Sequence, residues 1–172
     1  DEGAAGADVL LRVDRLSRAP ATPFSIPLRD ISLDVRAGEV VGIADGYNGL
    51  LFPDQYDGDA LIPLDRNAVR GISHLGGTII GTTNRGNPFE FRETLADGSV
   101  RVSDISGRLV QGFADHNIDA LIAVGGDGSM AIANQIAALG ISVVGVPKTI
   151  DNDLDGTVAT FGFDTAVAFA TE

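Results

Sequence analysis

Two short apolar runs stand out in the second half of the chain: Ala-Leu-Ile-Ala-Val at 120–124 and Ser-Val-Val-Gly-Val at 142–146. Both are rich in strand formers, and their unbroken apolarity is the pattern of strands buried on both faces in a parallel sheet. Between them an Ala-rich stretch starting near Ser129 places Ile132, Ile136 and Leu139 at helical spacing and stops at Gly140. Together these predict one βαβ unit whose loops, 125–129 and 147–153, open on the same rim. Upstream, 102–116 sets Ile105, Leu109, Val110 and Phe113 on one face of an amphipathic helix. Strand-like alternation at 9–13 and 31–35, with a turn at 36–38 before a strand at 39–43, predicts an N-terminal ribbon of two antiparallel strands feeding a third. The spacing further predicts an acidic loop over 54–59, a short helix over 66–72 and a short strand over 78–80. A surface segment over 93–99 should turn at Asp97-Gly98; a strand or loop over 157–163 and a helix over 164–171 complete the chain. The expected fold is an open, mainly parallel α/β sheet carrying an N-terminal β-ribbon.

Composition narrows the function. At 172 residues and 44% hydrophobic content the chain is one ordinary domain with a real core. A net charge of −12 argues against nucleic acid and anionic membranes as partners, since both need surplus cations. An anionic substrate would need a local positive patch. The absence of cysteine excludes disulfides and thiolate chemistry and fits a cytoplasmic protein. No run approaches the length of a membrane span, and 1–7 lacks the charge pattern of a signal peptide. His74 and His116 read as surface or capping residues, because neither has a His or Cys partner at metal spacing.

Chemistry concentrates in the two loops. Gly125, Gly126 and Gly128 let main-chain N–H groups approach an anion, and Ser129 sits where a helix N-terminus adds partial positive charge. Asp127 among those donors would repel a bare phosphate, so the loop suggests a Mg²⁺ shared between carboxylate and phosphate oxygens. The alternative is a tight turn whose glycines serve backbone geometry only. In the second loop, Lys148 is the single lysine of a chain whose other cations are arginines. Asp151 and Asp153, two apart, share a face if the segment is extended. An ionised Asp151 beside Lys148 can take a proton from a sugar hydroxyl during phosphoryl transfer. The alternative for Asp-Asn-Asp is an Asx-rich turn capping the next element.

Three motifs agree together: Gly-Gly-Asp-Gly-Ser at 125–129, Pro-Lys-Thr-Ile-Asp-Asn-Asp at 147–153 and Thr-Phe-Gly-Phe-Asp-Thr-Ala at 160–166. In order and spacing they resemble the phosphofructokinases. Val-Gly-Ile-Ala-Asp-Gly-Tyr-Asn-Gly-Leu at 41–50 is similar to a strand and loop of that family, and 76–88 to its second nucleotide-contacting loop. The resemblance runs from about residue 40 to 172. It implies an incomplete three-layer N-terminal lobe that transfers phosphoryl from MgATP to fructose 6-phosphate in glycolysis. Asp151 then matches the base that deprotonates the sugar 1-hydroxyl, with Lys148 and Asp153 completing the catalytic set. Thr149 and Asp151 fall on the sugar side, Asp127 on Mg²⁺, Gly126, Gly128 and Ser129 on the phosphate cradle, and Arg85 on the nucleotide phosphates. Glycine at 128, where pyrophosphate users carry a second aspartate, implies ATP; Lys148 with Gly128 resembles a mixed, ATP-using subgroup. Self-association is also implied.

The stretch 1–43, through its segment 27–43, resembles the opening β-region of an ABC-transporter ATPase domain, yet 42–49 supplies no Gly-Lys-Ser/Thr ending, so a transporter-type phosphate site is not expected. The first Gly-rich loop of the phosphofructokinase pattern and its second lobe have no counterpart here. The sequence therefore reads as 1–38, a β-ribbon extension, joined to 39–172, a truncated phosphofructokinase-like lobe, as a fusion or a fragment. Impaired kinase activity is expected of it; the alternative is a catalytically silent nucleotide- or phosphate-binding module.

Overall fold

The computed structural model describes residues 9–18, 28–36 and 40–171. The expected ribbon is there: β1 (Val9–Arg18) runs antiparallel to β2 (Leu28–Arg36), with Val13 opposite Leu33. Beyond Arg36 the turn expected at 36–38 lies outside the described residues, as do residues 1–7 and the boundary placed between 38 and 39. The third strand, β3 (Val41–Ile43), pairs antiparallel with β4 (Leu61–Pro63). The chain between them reverses because Asp45 and Gly46 adopt left-handed φ of 48° and 67°, which starts the single-turn α1 (Asn48–Leu51). The backbone of Gly49 then lies so close to the Ala60 carbonyl that any side chain would collide with it.

Two local expectations fail for identifiable reasons. Residues 66–72 form turns, not a helix: Asp65 Oδ1 accepts from the N–H groups of Asn67 and Ala68 at 2.9 and 2.8 Å, and Val69 is left exposed, with no apolar face to bury. Residues 78–80 form no strand, because Thr78 Oγ1 takes the Ile80 N–H and donates to the Gly81 carbonyl, occupying the groups a ladder needs. The surface segment proves to be part of a hairpin, β5 (Phe91–Thr94) with β6 (Val100–Ser103), turning at Gly98 (φ 81°) as expected. Asp97 Oδ1 accepts from the backbone and hydroxyl of Ser99 there, which holds its carboxyl below the ordinary range.

Helix α2 (Ser106–Asp115) is shorter than the 102–116 pattern because β6 runs to Ser103 and Asp104 accepts the Ser106 N–H at 2.8 Å. Leu109 and Phe113 are buried, whereas Val110 is exposed. The predicted βαβ unit follows as β7 (Ala120–Gly125), α3 (Asp127–Ala138) and β8 (Ser142–Pro147). β7 and β8 are parallel from Ala120 opposite Ser142 to Gly125 opposite Pro147. A last helix, α4 (Phe163–Thr171), matches the helix expected over 164–171. The fold is the expected open α/β class, with its described parallel pairing in β7–β8 and antiparallel pairing in the other three ladders.

One core joins these elements: Leu50 and Leu51 of α1, Leu109 and Phe113 of α2, Leu121 and Ala123 of β7, Ala133 and Ile136 of α3, and Val143 of β8. Burial of each large side chain contributes about 1.5–3 kcal/mol. Leu139, expected on the buried face of α3, instead caps its end and is 45% exposed. On the other face of β7, Ile122 and Val124 are also exposed, so the strand alternates where burial on both faces was expected. No helix among the described residues is long and apolar enough to cross a membrane.

Candidate functional site

The parallel register brings the two loops together. Gly125 ends β7, and its carbonyl accepts the Lys148 N–H at 3.0 Å just past the end of β8. Helix α3 starts at Asp127, two residues before the expected start, because Gly126 is extended (φ −86°, ψ −165°) and its carbonyl accepts from Met130 N–H at 2.9 Å. Asp127, Gly128 and Ser129 are therefore first-turn residues, all exposed. No side chain caps this helix, so its first N–H groups keep their partial positive charge for an external acceptor.

The glycines of this turn divide by cause. A side chain on Gly125 would collide with Ser129, so the protein's own packing requires that glycine. A Cβ on Gly128 would meet nothing within 4 Å, and one on Gly126 only the Lys148 carbonyl at 3.8 Å. The room beside Gly128 is thus left open by the protein itself.

The second loop is pinned on both sides. The Phe161 N–H donates to the Pro147 carbonyl at 2.9 Å, and the Thr149 N–H donates to the Phe161 carbonyl at 3.1 Å, so residue 161 lies parallel to Lys148 as a one-residue ladder. The Asp-Asn-Asp segment is a turn and not the extended arrangement that would put both carboxylates on one face. Asn152 adopts a left-handed φ of 53°, and Thr149 Oγ1 accepts the Asp151 N–H at 3.2 Å while reaching Asp153 Oδ1 at 3.5 Å. Nor does Asn152 cap the next element: its Oδ1 accepts the N–H of Thr160 at 2.8 Å, eight residues on. The buried Thr160 in turn donates from Oγ1 to the Thr149 carbonyl at 2.8 Å. Asn152 and Thr160 hold this loop, and the sequence had shown them only as members of motifs. Their signal was present, since Asn is among the few residues that tolerate left-handed backbone.

Asp151, Asp153 and Lys148 are all exposed, and no ion pair among the described residues involves them or Asp127. Lys148 and Asp151, expected side by side, are therefore not joined. Arg85 is exposed on the 76–88 loop, its N–H donating to Thr83 Oγ1 at 3.1 Å. That loop packs on the start of α1: Asp45 N–H donates to the Ile80 carbonyl at 2.9 Å, and a Cβ on Gly86 would stand 3.1 Å from Asn48 Oδ1. His74 and His116 are exposed as expected, and among the described residues no three His, Cys, Asp or Glu groups gather to hold a metal. A hard cation here would have fewer than three carboxylates from the described residues, Asp127 being the one on the helix turn, and would need phosphate and water oxygens for the rest. That donor set suits Mg²⁺, which keeps several waters and takes few protein ligands.

An uncapped helix N-terminus after a parallel strand, beside a pinned acidic loop on the adjacent strand, makes an open α/β unit of the kind in which a helix N-terminus can accept an anion. The chain belongs to the phosphofructokinase family, whose profile matches residues 31–172, beginning within β2. It is 42% identical over 134 residues to ATP-dependent 6-phosphofructokinase 2 of Clostridium perfringens (strain 13 / Type A), covering 78% of this chain and 35% of that protein. It is 45% identical over 135 residues to ATP-dependent 6-phosphofructokinase 1 of Synechocystis sp. (strain ATCC 27184 / PCC 6803 / Kazusa), with the same coverage, 78% and 35%. A pyrophosphate–fructose 6-phosphate 1-phosphotransferase of Amycolatopsis mediterranei (strain S699) is 42% identical over 140 residues, covering 81% of this chain and 36% of that protein. The chain thus spans about a third of the length of the curated relatives it matches.

Proposed function

We propose that these residues form the donor side and the base of a 6-phosphofructokinase centre, with MgATP as donor and fructose 6-phosphate as acceptor. The observation that carries this reading is the hydrogen bond from Lys148 N–H to the Gly125 carbonyl, which fixes the base of the helix turn against the base of the Asp151 loop. The N–H groups of Asp127, Gly128 and Ser129 bind the transferred phosphate, and Arg85 reaches the nucleotide phosphates from its own loop. Asp151 accepts the proton of the sugar hydroxyl, and Thr149 and Asn152 orient it by fixing the turn. Lys148 and Asp153 flank the base. Three exposed carboxylates against one lysine repel a bare polyphosphate, and Mg²⁺ held by Asp127 supplies the missing positive charge. Relatives of both donor types are similarly identical, so overall likeness does not choose the donor. The open space at Gly128 supports ATP, since an aspartate there would place a further charge where the polyphosphate lies.

Thermal unfolding of the 172-residue chain tests the donor side. Ligand at ten times its Kd adds about 1.4 kcal/mol, or about 3–6 °C in Tm. The expected result is such a rise with MgATP, its abolition by EDTA, and a smaller rise in Gly128→Asp; no rise, or an equal rise in that variant, contradicts the reading. Turnover by these 172 residues alone is expected to be low. Lys148 is the one cation within the acidic loop 147–153 itself to meet a sugar phosphate, and orientation is worth about 7–11 kcal/mol of a barrier. Fructose 1,6-bisphosphate accumulating above an Asp151→Asn control would overturn that expectation.

A further inference from the structure

Away from both loops, between the β5–β6 hairpin and the α1 and α2 ends, lies a half-open cavity of about 330 Å³. Phe52, Phe91 and Ile105 form its apolar wall, and Glu93, Arg101, Ser103 and Arg108 its polar side. The two phenylalanine rings stand 5.2 Å apart at 44°, a tilted pair able to take a third ring against face or edge. Arg101 is committed, its guanidinium donating to Glu93 at 2.6 Å. Arg108 has no ion-pair partner among the described residues. The lining therefore carries one surplus positive charge in a chain whose net charge is −12.

We propose that this cavity binds a small planar aromatic monoanion, of the arylcarboxylate class, with its ring on Phe52 and Phe91 and its carboxylate on Arg108. Three features favour this ligand over others. The volume is at the low end of small-molecule sites, enough for one ring and its substituent but not for a nucleotide. A single uncommitted guanidinium matches one carboxylate in bidentate fashion, whereas a phosphate dianion would keep an uncompensated charge beside Glu93. The apolar wall recovers hydrophobic burial only from a ligand with an apolar body. The N-terminus of α2 does not supply the anchor, because Asp104 already accepts the Ser106 N–H. Ser103 adds a hydroxyl donor on the hairpin side.

Ligand-observed saturation-transfer NMR with benzoate on the full 172-residue chain tests the proposal. The expected result is saturable binding with Kd on the order of 1 mM. Arg108→Gln should weaken it at least tenfold, and Phe91→Leu, which keeps apolar bulk but removes the ring, several-fold. Benzyl alcohol, lacking the charge, and cyclohexanecarboxylate, lacking the flat ring, should each bind more weakly than benzoate. Both variants are checked by urea midpoint, and Arg108, exposed on α2, should leave it unchanged. Three results overturn the proposal: no saturable benzoate signal up to about 10 mM, equal affinity in a folded Arg108→Gln, or displacement of benzoate by an equal concentration of inorganic phosphate.

Discussion

Replacing Asn152 separates the two tasks this residue performs in the loop carrying Asp151. One is conformational: at φ 53° a side chain with an ordinary Cβ costs roughly 1–2 kcal/mol, which Asn largely avoids and Gly escapes. The other is chemical: Oδ1 accepts the N–H of Thr160, a residue only 5% exposed, and removing the acceptor orphans that donor at about 1–3 kcal/mol. Asn152→Ala loses both and should destabilise by about 2–4 kcal/mol. Asn152→Gly loses only the acceptor and should cost about 1 kcal/mol less than Ala. Asn152→Asp keeps an acceptor and tolerates the conformation, so it should stay within about 1 kcal/mol of the parent. With a urea m-value of about 2 kcal/mol/M, the Ala midpoint falls by about 1–2 M. Amide exchange should show lost protection at Thr160 and Thr149 in Ala and Gly but not in Asp. The reasoning is refuted if Gly costs more than Ala, or if all three variants fall within 0.5 kcal/mol of one another.

Two further outcomes follow from packing and burial. Gly125→Ala drives its Cβ into Ser129 and should cost about 1–3 kcal/mol in urea unfolding. Gly128→Ala meets open space in a helical first turn and should gain up to about 1 kcal/mol while reducing the MgATP-induced rise in Tm. Burial pushes the Tyr47 phenol from 10.0 up to about 12. The folded chain therefore holds a proton that the unfolded chain releases, and this stabilisation is whole below pH 10 and lost as pH rises through 12. With the ring partly exposed, the loss should be about 2 kcal/mol, measured as the difference between parent and Tyr47→Phe in urea midpoints taken from pH 9 to 12.

The sequence revealed the elements whose signals are local. Residues 120–124 and 142–146 are strands because unbroken apolar runs ended by Gly or Pro have few other uses, and the Ala-rich stretch between them had helical spacing with Gly140 to stop it. It failed where stability comes from elsewhere. The β5–β6 hairpin has strands of only four residues with both faces largely exposed: β5 carries Arg92, Glu93 and Thr94, and the alternation of β6 at Val100 and Val102 is too short to mark a strand and buries neither valine. The supposed helix at 66–72 had acceptable residues but no core face to bury, and one Asp65 carboxylate redirected its backbone.

The same division runs through the candidate site. Residue types and spacing pointed to Gly126, Asp127, Gly128, Ser129, Lys148, Asp151 and Asp153 as candidates, because few side chains suit chemistry at a phosphate, and the family resemblance added Thr149 and Arg85. Spacing could not say that Asp127 and Gly128 lie inside a helix, that Asp151 and Asp153 flank a left-handed turn, or that Lys148 and Asp151 form no pair. Those facts depend on the Gly125–Lys148 bond between parallel strands and on Thr160 reaching back to Asn152 and Thr149. Contacts between residues far apart in the chain leave no periodic trace in it, so the sequence determined which side chains the candidate site offers, and tertiary packing alone decided its geometry.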